Sequence, residues 1–159
     1  MKPPTPVDGH LIIHKAERKM ELFDGEKLLR SYKIALGSCP VGDKEIEGDG
    51  KTPEGQYYVF VKNPESKFHL SLGLSYPSRA SAERGLAAGV ITRSEFDSIA
   101  GAHEHGTQLP QKTRLGGEIY VHGGGSASDW TEGCIAMTDE EIEEVFAAVP
   151  VGTRVTILP

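Results

Sequence analysis

The sequence predicts a mainly β domain of the α+β class: a β-sandwich or mixed sheet with a few peripheral helices. Three observations predict it. Nineteen glycines and ten prolines in 159 residues are many for a helical bundle and suit strands joined by turns. Short alternating or β-branched runs recur along the chain. Helical patterns are confined to the middle and to one stretch near the C-terminus. A chain of this length forms one domain and buries a core without staples.

The elements follow in order. Met1 to Asp8 carry three prolines, so residues 1–9 read as a flexible lead-in and 10–159 as the domain. In "HLIIHKAERKMELFDGEKLLRSYKIALG", Leu11 and Ile13 alternate with more polar neighbours, Asp24-Gly25 signals a hairpin, and 28–36 returns as a strand. "GSCPVGDKEIEGDGKTPEGQYYVFVKN" is a long loop entering a strand over 56–61, with another expected over 68–72. "SRASAERGLAAG" and "TRSEFDSIAGAHEHG" read as helices closed by Gly89 and Gly106, with Ser94 and Asp97 resembling a helix-start cap. Gly116-Gly117 opens a strand over 118–121 that delivers His122. Thr138 and Glu141 form a capping box for a last helix, whose Ile142, Val145, Phe146 and Val149 share one face. "GTRVTIL" is the final strand.

Composition narrows the function. The net charge of −6 and pI near 5.5 argue against nucleic acid as a partner, since nothing here neutralises a phosphate backbone. No apolar run approaches the roughly 20 residues of a membrane helix. The start, "MKPPTPVDGH", lacks the apolar core of a signal peptide, which leaves a cytosolic protein or one whose export segment lies outside this chain. The two cysteines, Cys39 and Cys134, are too few for a disulfide scaffold.

Several stretches invite a chemical reading. "DKEIEGDGKTPE" spaces Asp43, Glu45, Glu47 and Glu54 like calcium ligands, yet it sits between strands rather than helices, and a structured turn is the simpler expectation. "VHGGG" has the look of an esterase oxyanion loop, but no G-x-S-x-G elbow accompanies it. His103, His105 and His122 suggest zinc, although histidines two apart on a helix diverge. "YVHGGGSASDWTEGCIAM" places His122 at a strand end and Cys134 after Gly133. That order suits a thiol whose proton an imidazole accepts. By residues alone, a buried structural cysteine beside a backbone-bonded histidine is the simpler expectation.

"IYVHGGG…SDWTEGCIAM" resembles the His…Gly-Cys signature of the YkuD family of L,D-transpeptidases, which remodel bacterial peptidoglycan. "SYKIALGSCPVGDKEIEGDGKTPEGQYYV", "GLSYP" and "LGGEIYVHGG" extend the likeness over most of the chain and are similar to the YafK-like subgroup. The resemblance implies Cys134 as nucleophile, His122 as general base and the Gly123 carbonyl as the group orienting the ring. It also implies an oxyanion site shaped by Gly133 and the Cys134 N–H, with Glu132, Trp130, Asp129, Tyr76 and Ser75 as candidates around the substrate. Two positions depart from the family pattern: Glu132 stands where a second histidine is usual, and Ala136 where an arginine is. The implied substrate is a peptidoglycan stem peptide, the acceptor an amine on another stem or an envelope protein. Water as acceptor, giving a carboxypeptidase or amidase-type hydrolase, and a non-catalytic binding module remain the alternatives. No cofactor or metal is implied, the location is the periplasm or cell envelope, and Cys39 is structural or incidental. Glu132 is expected to raise the thiol pKa.

Overall fold

The computed structural model describes residues 5–159. Residues 1–4 of the expected lead-in lie outside the described residues. The chain is already tied to the sheet at Asp8, whose N–H donates to Asp24 Oδ1 and whose carbonyl accepts from Gly25.

Strands β1 (Gly9–His14) and β2 (Lys19–Asp24) pair antiparallel, with Leu11 opposite Leu22 and Ile13 opposite Met20. All four side chains are fully buried, as two-residue alternation requires of a sheet with one inward face. β3 (Lys27–Lys33) continues the meander through a bulge at Leu22/Phe23. β4 (Gly55–Ser66) and β5 (His69–Leu74) form a second hairpin, and β4 runs five residues beyond the expected end at 61. Short strands β6 (Tyr120–His122) and β7 (Ile135–Ala136) precede the last strand, β8 (Arg154–Leu158).

The eight strands form one sheet in the order β3-β2-β1-β8-β4-β5-β6-β7. β1–β8 and β6–β7 are parallel and the other pairs antiparallel. The sheet is curled. β3 and β7 are its two edges, yet just past β3 Ala35 bridges Ala136 and Gly37 bridges Thr131. The edges are thereby drawn together around a core that includes Leu36, Val59, Leu72, Ile135 and Val155, and little unpaired edge is left open.

Helix α3 (Asp139–Ala148) packs on β5 and β6 through Ile142 and Val145. Full burial of two such side chains contributes about 1.5–3 kcal/mol each. Thr138 caps it by accepting from Glu141 N–H. The Glu141 carboxylate accepts from the Thr138 hydroxyl instead of the cap's backbone, so half of the expected box forms. Phe146 is only partly buried.

Helices α1 (Arg79–Ala87) and α2 (Arg93–His105) build a second, smaller cluster from Ala82, Ile99, Ala102, Leu109 and Leu115. The cap of α2 is Thr92, not Ser94. Thr92 and Glu95 satisfy each other's backbone N–H groups in a complete capping box, which a Ser-x-x-Asp pair with its shorter carboxyl side chain does not match.

Candidate active site

The β6–β7 pair positions the candidate residues. His122 lies opposite Ala136, and Val121 opposite Ile135. Because alternate residues of a strand share a face, stepping back two residues from Ala136 puts Cys134 on the side of the ladder that His122 occupies. The Tyr120 N–H, two residues before His122, donates to Cys134 Sγ at 3.4 Å.

His122 is 3% exposed. Its ring stacks on Phe68 at 4.7 Å and meets Trp130 edge-on at 5.5 Å. Nδ1 donates to the Gly123 carbonyl at 2.6 Å. A carbonyl only accepts, so the neutral ring carries its proton on Nδ1 and leaves Nε2 as a base. Burial lowers the imidazole pKa below its ordinary 6.5, and the Gly123 carbonyl only partly opposes this. Near neutral pH the ring is uncharged. Glycine is required at 123, because a Cβ there would run into the Asp139 carboxylate and come within 2.9 Å of the Phe68 carbonyl.

Cys134 is partly buried and free, as is the exposed Cys39. Its Sγ–H donates to the Glu118 carbonyl at 3.3 Å. Among the described residues it makes no hydrogen bond to His122. Burial pushes the thiol pKa up to about 11, against the pull of the Tyr120 N–H and the Lys44 charge; Glu118 and Glu132 add to the rise. Glu132 therefore acts in the expected direction as the smallest of these influences. At rest both thiol and imidazole are neutral.

Gly133 has φ +145°, and a Cβ there would stand 2.9 Å from the Lys51 carbonyl. Its N–H donates to Thr131 Oγ1 at 3.1 Å, and the Thr131 hydroxyl in turn donates to the Cys134 carbonyl at 2.8 Å. Gly133 thus shapes the turn, but its N–H is committed to Thr131 and is not an open oxyanion donor. Thr131 and a second turn-builder, Gln111, carried no signal in the sequence. Gln111 accepts from the Glu118 N–H at 2.6 Å and donates to the Tyr76 carbonyl at 2.9 Å. It holds Glu118 at φ +56°, a strained conformation for a residue with a Cβ, with the carbonyl aimed at the thiol.

The sulfur faces a cavity of about 500 Å³ that also includes Lys44, Glu47, Glu132 and Gly117. A larger groove of about 830 Å³, walled by Tyr58, Phe60, Leu109 and Tyr120, shares Gln111, Lys112 and Glu118 with it. The Lys112–Glu118 ion pair, 3.1 Å, stands at their junction.

Other expected residues fall differently. Tyr76 does not line the cleft: it is fully buried and its hydroxyl donates to the Leu115 carbonyl. An apolar ring with one hydrogen-bonding tip is satisfied inside the fold. Ser75 is also buried, accepting from Tyr58 N–H. Trp130 is 39% exposed, with its indole N–H on the Gly125 carbonyl. Asp129 is held by Arg18 and accepts from Leu36 N–H, so it fastens the loop. Glu132 is exposed. The histidines considered for zinc are not brought together, since both His103 ring nitrogens are engaged, with Tyr58 Oη and the Pro77 carbonyl. The acidic loop is a turn braced from within: Asp43 accepts from Glu54 N–H and Arg84, and Asp49 from Lys44 and three backbone N–H groups.

Fold and site together define a curled-sheet protein with a histidine on one strand of a short parallel pair and a cysteine at the start of the other. Residues 8–157 match the YkuD family, the L,D-transpeptidase catalytic domain, and the chain belongs to that family. It is similar to the L,D-transpeptidase homologues YafK of Escherichia coli (strain K12), 27% identical over 88% of this chain, and YqjB of Bacillus subtilis (strain 168), 27% over 97%. The chain spans 46% of the length of YafK and 73% of YqjB. Among solved structures it is similar to the helical cell shape determining protein Pgp2 from Campylobacter jejuni (TM-score 0.63, 22% identity, 98% of this chain and 50% of that one). It is also similar to an L,D-transpeptidase from Mycobacterium smegmatis (TM-score 0.58, 11% identity, 96% and 59%). These two likenesses concern the fold. Family membership supports a function in peptidoglycan metabolism.

Proposed function

We propose that this domain is a peptidoglycan-remodelling cysteine acyltransferase. The observation that carries the proposal is the His122 tautomer: Nδ1 is committed to the Gly123 carbonyl, so the free Nε2 is available as base on the face that Cys134 shares. The Cys134 proton passes to Nε2 while Sγ attacks the carbonyl on the L-centre side of the L,D-peptide bond in a tetrapeptide stem. The Cys134 N–H stabilises the oxyanion. The C–N bond breaks, His122 returns the proton to the departing amine, and a thioester remains. An acceptor amine then attacks that carbonyl, forming a 3→3 cross-link or an attachment to an envelope protein and restoring the thiol. Every step uses side chains and backbone of this chain. The proposed location is the cell envelope, where the substrate lies; among the described residues no helix is long and apolar enough to cross a membrane.

Incubation with purified muropeptides, followed by mass analysis, tests the proposal beside Cys134→Ala. The expected result is a Cys134 thioester of the stem lacking its terminal residue, absent in the variant, together with a cross-linked dimer. Shortened monomer in place of dimer would make the protein a hydrolase using the same pair. No adduct and no product under reducing conditions would leave a non-catalytic binding module and overturn the proposal.

A further inference from the structure

Two lysines are buried around the loop from Ser38 to Glu54, and they differ in one respect. Lys15, 2% exposed, spends all three N–H donors on the Gly42 and Thr52 carbonyls and the Glu54 carboxylate, at 2.7–3.0 Å. Lys44, 4% exposed, gives two donors to the Ile46 carbonyl (3.2 Å) and Asp49 Oδ1 (2.9 Å). Its third has no acceptor among the described residues. A buried ammonium group with an unspent donor is costly unless something pairs with it.

Lys44 forms part of the cavity that holds Cys134. Its Nζ stands 3.8 Å from where a Cβ on Gly133 would lie, beside the turn that carries the sulfur. Asp49 neutralises it incompletely, because that carboxylate also serves the backbone N–H groups of Glu45, Ile46 and Lys51. The other charges on the cavity, Glu47, Glu118, Glu132 and Lys112, are exposed to water, where solvent and salt screen them. The buried charge facing the sulfur is positive.

We propose that Lys44 anchors a carboxylate in the Cys134 cavity: the free C-terminal carboxylate of the peptide whose bond is broken. This rests on the acyltransfer reading and names the substrate feature it selects. One residue, about 3.8 Å of chain, separates the attacked carbonyl from the next one, so a stem ending one residue beyond the scissile bond presents its terminus beside Lys44. Ala136 lies fully buried against Ala35 and offers the cavity no charge. Stems that are amidated or extended at that end lose the contact.

The test compares alkylation of Cys134 by iodoacetate and by neutral iodoacetamide, read on the Cys134 peptide by mass. In both, the same thiolate attacks the iodomethyl carbon, forming an S–C bond as the C–I bond breaks and iodide leaves, so their rate ratio cancels any change in thiol pKa. The iodoacetate-to-iodoacetamide ratio is expected to fall about tenfold in Lys44→Met, the scale of one charge-assisted hydrogen bond, and to persist in Lys44→Arg. An unchanged ratio in folded Lys44→Met overturns the proposal. Should that variant not fold, protection of the wild-type thiol decides: N-acetyl-D-alanine should slow iodoacetamide and its carboxamide should not. Equal protection, or none by either, overturns it. None of these readouts requires turnover, so a failed muropeptide assay with an intact carboxylate preference would sink the acyltransfer reading alone.

Discussion

The two sides of the site are built from different materials. Around His122 the walls are aromatic, with Phe68 against one face of the ring and Trp130 at its edge. Around Cys134 they are backbone and charge: the Tyr120 N–H, the Glu118 carbonyl and Lys44. Burial nevertheless has one consequence on both sides, because it disfavours whichever form is charged. It pushes the imidazole pKa down and the thiol pKa up. The pair rests as neutral thiol and neutral base rather than as a thiolate–imidazolium ion pair. In the proposed reaction, proton transfer is thereby tied to the attack itself, and the thiol must leave the Glu118 carbonyl to make it.

Removing the aromatic side's function should have the largest effect. His122→Gln is expected to slow acylation of Cys134 by about 10²–10⁴-fold, the usual contribution of a general base. Wild-type kcat/KM should stay level near neutrality and decline only below pH 6.5, as the depressed imidazole protonates. A variant within tenfold of wild type, by the rate of thioester formation, would show that the histidine is not the base.

Stability against pH separates the two sides next. His122 has a folded pKa below its unfolded 6.5, so its contribution is present above that value and lost as pH falls toward the folded one. Cys134 has a folded pKa of about 11 against an ordinary 9.0, so its contribution is present below pH 9.0 and lost as pH rises through about 11. Urea unfolding of Cys134→Ala should show a shallower loss between pH 9 and 11 and an unchanged acid limb. Tyr57 and Tyr76, whose hydroxyls burial also raises, keep the rest of the alkaline limb. An identical alkaline slope in variant and wild type would break the comparison.

Glu132→Gln should do least. Its carboxylate is exposed and is the weakest of the influences on the thiol, so iodoacetamide rates against pH should show a slightly lower thiol pKa and less than about a threefold gain near neutrality, in line with a screened surface charge. A gain of tenfold would mean that this charge, and not burial, governs the sulfur.

Much of this was legible along the chain. The β1–β2–β3 meander announces itself through alternation and the Asp24-Gly25 turn, and α3 through Thr138 and the spacing of Ile142 and Val145, because period and turn chemistry are local properties. The family likeness supplied the expectation for His122, Cys134 and Gly123, and the Nδ1–Gly123 carbonyl contact it implied is present. Tyr76 was misplaced because a motif says which residues are near a site, not which way each side chain points. Its ring went inward, where its hydroxyl found the Leu115 carbonyl. Ser94 was read as the cap from its spacing to Asp97, whereas Thr92, two residues earlier, has in Glu95 the partner that completes the reciprocal bonds.

The amino-acid order alone determined the strand and helix periods, the acidic charge balance and the histidine-to-cysteine signature, since each is written in neighbouring residues. Tertiary structure decided what surrounds that signature. Lys44, Gln111 and Thr131 reach the thiol turn from distant or featureless positions, and the curl of the sheet brings Ala35 against Ala136. Burial, and with it the charge state of both reacting groups, exists only once those segments have met.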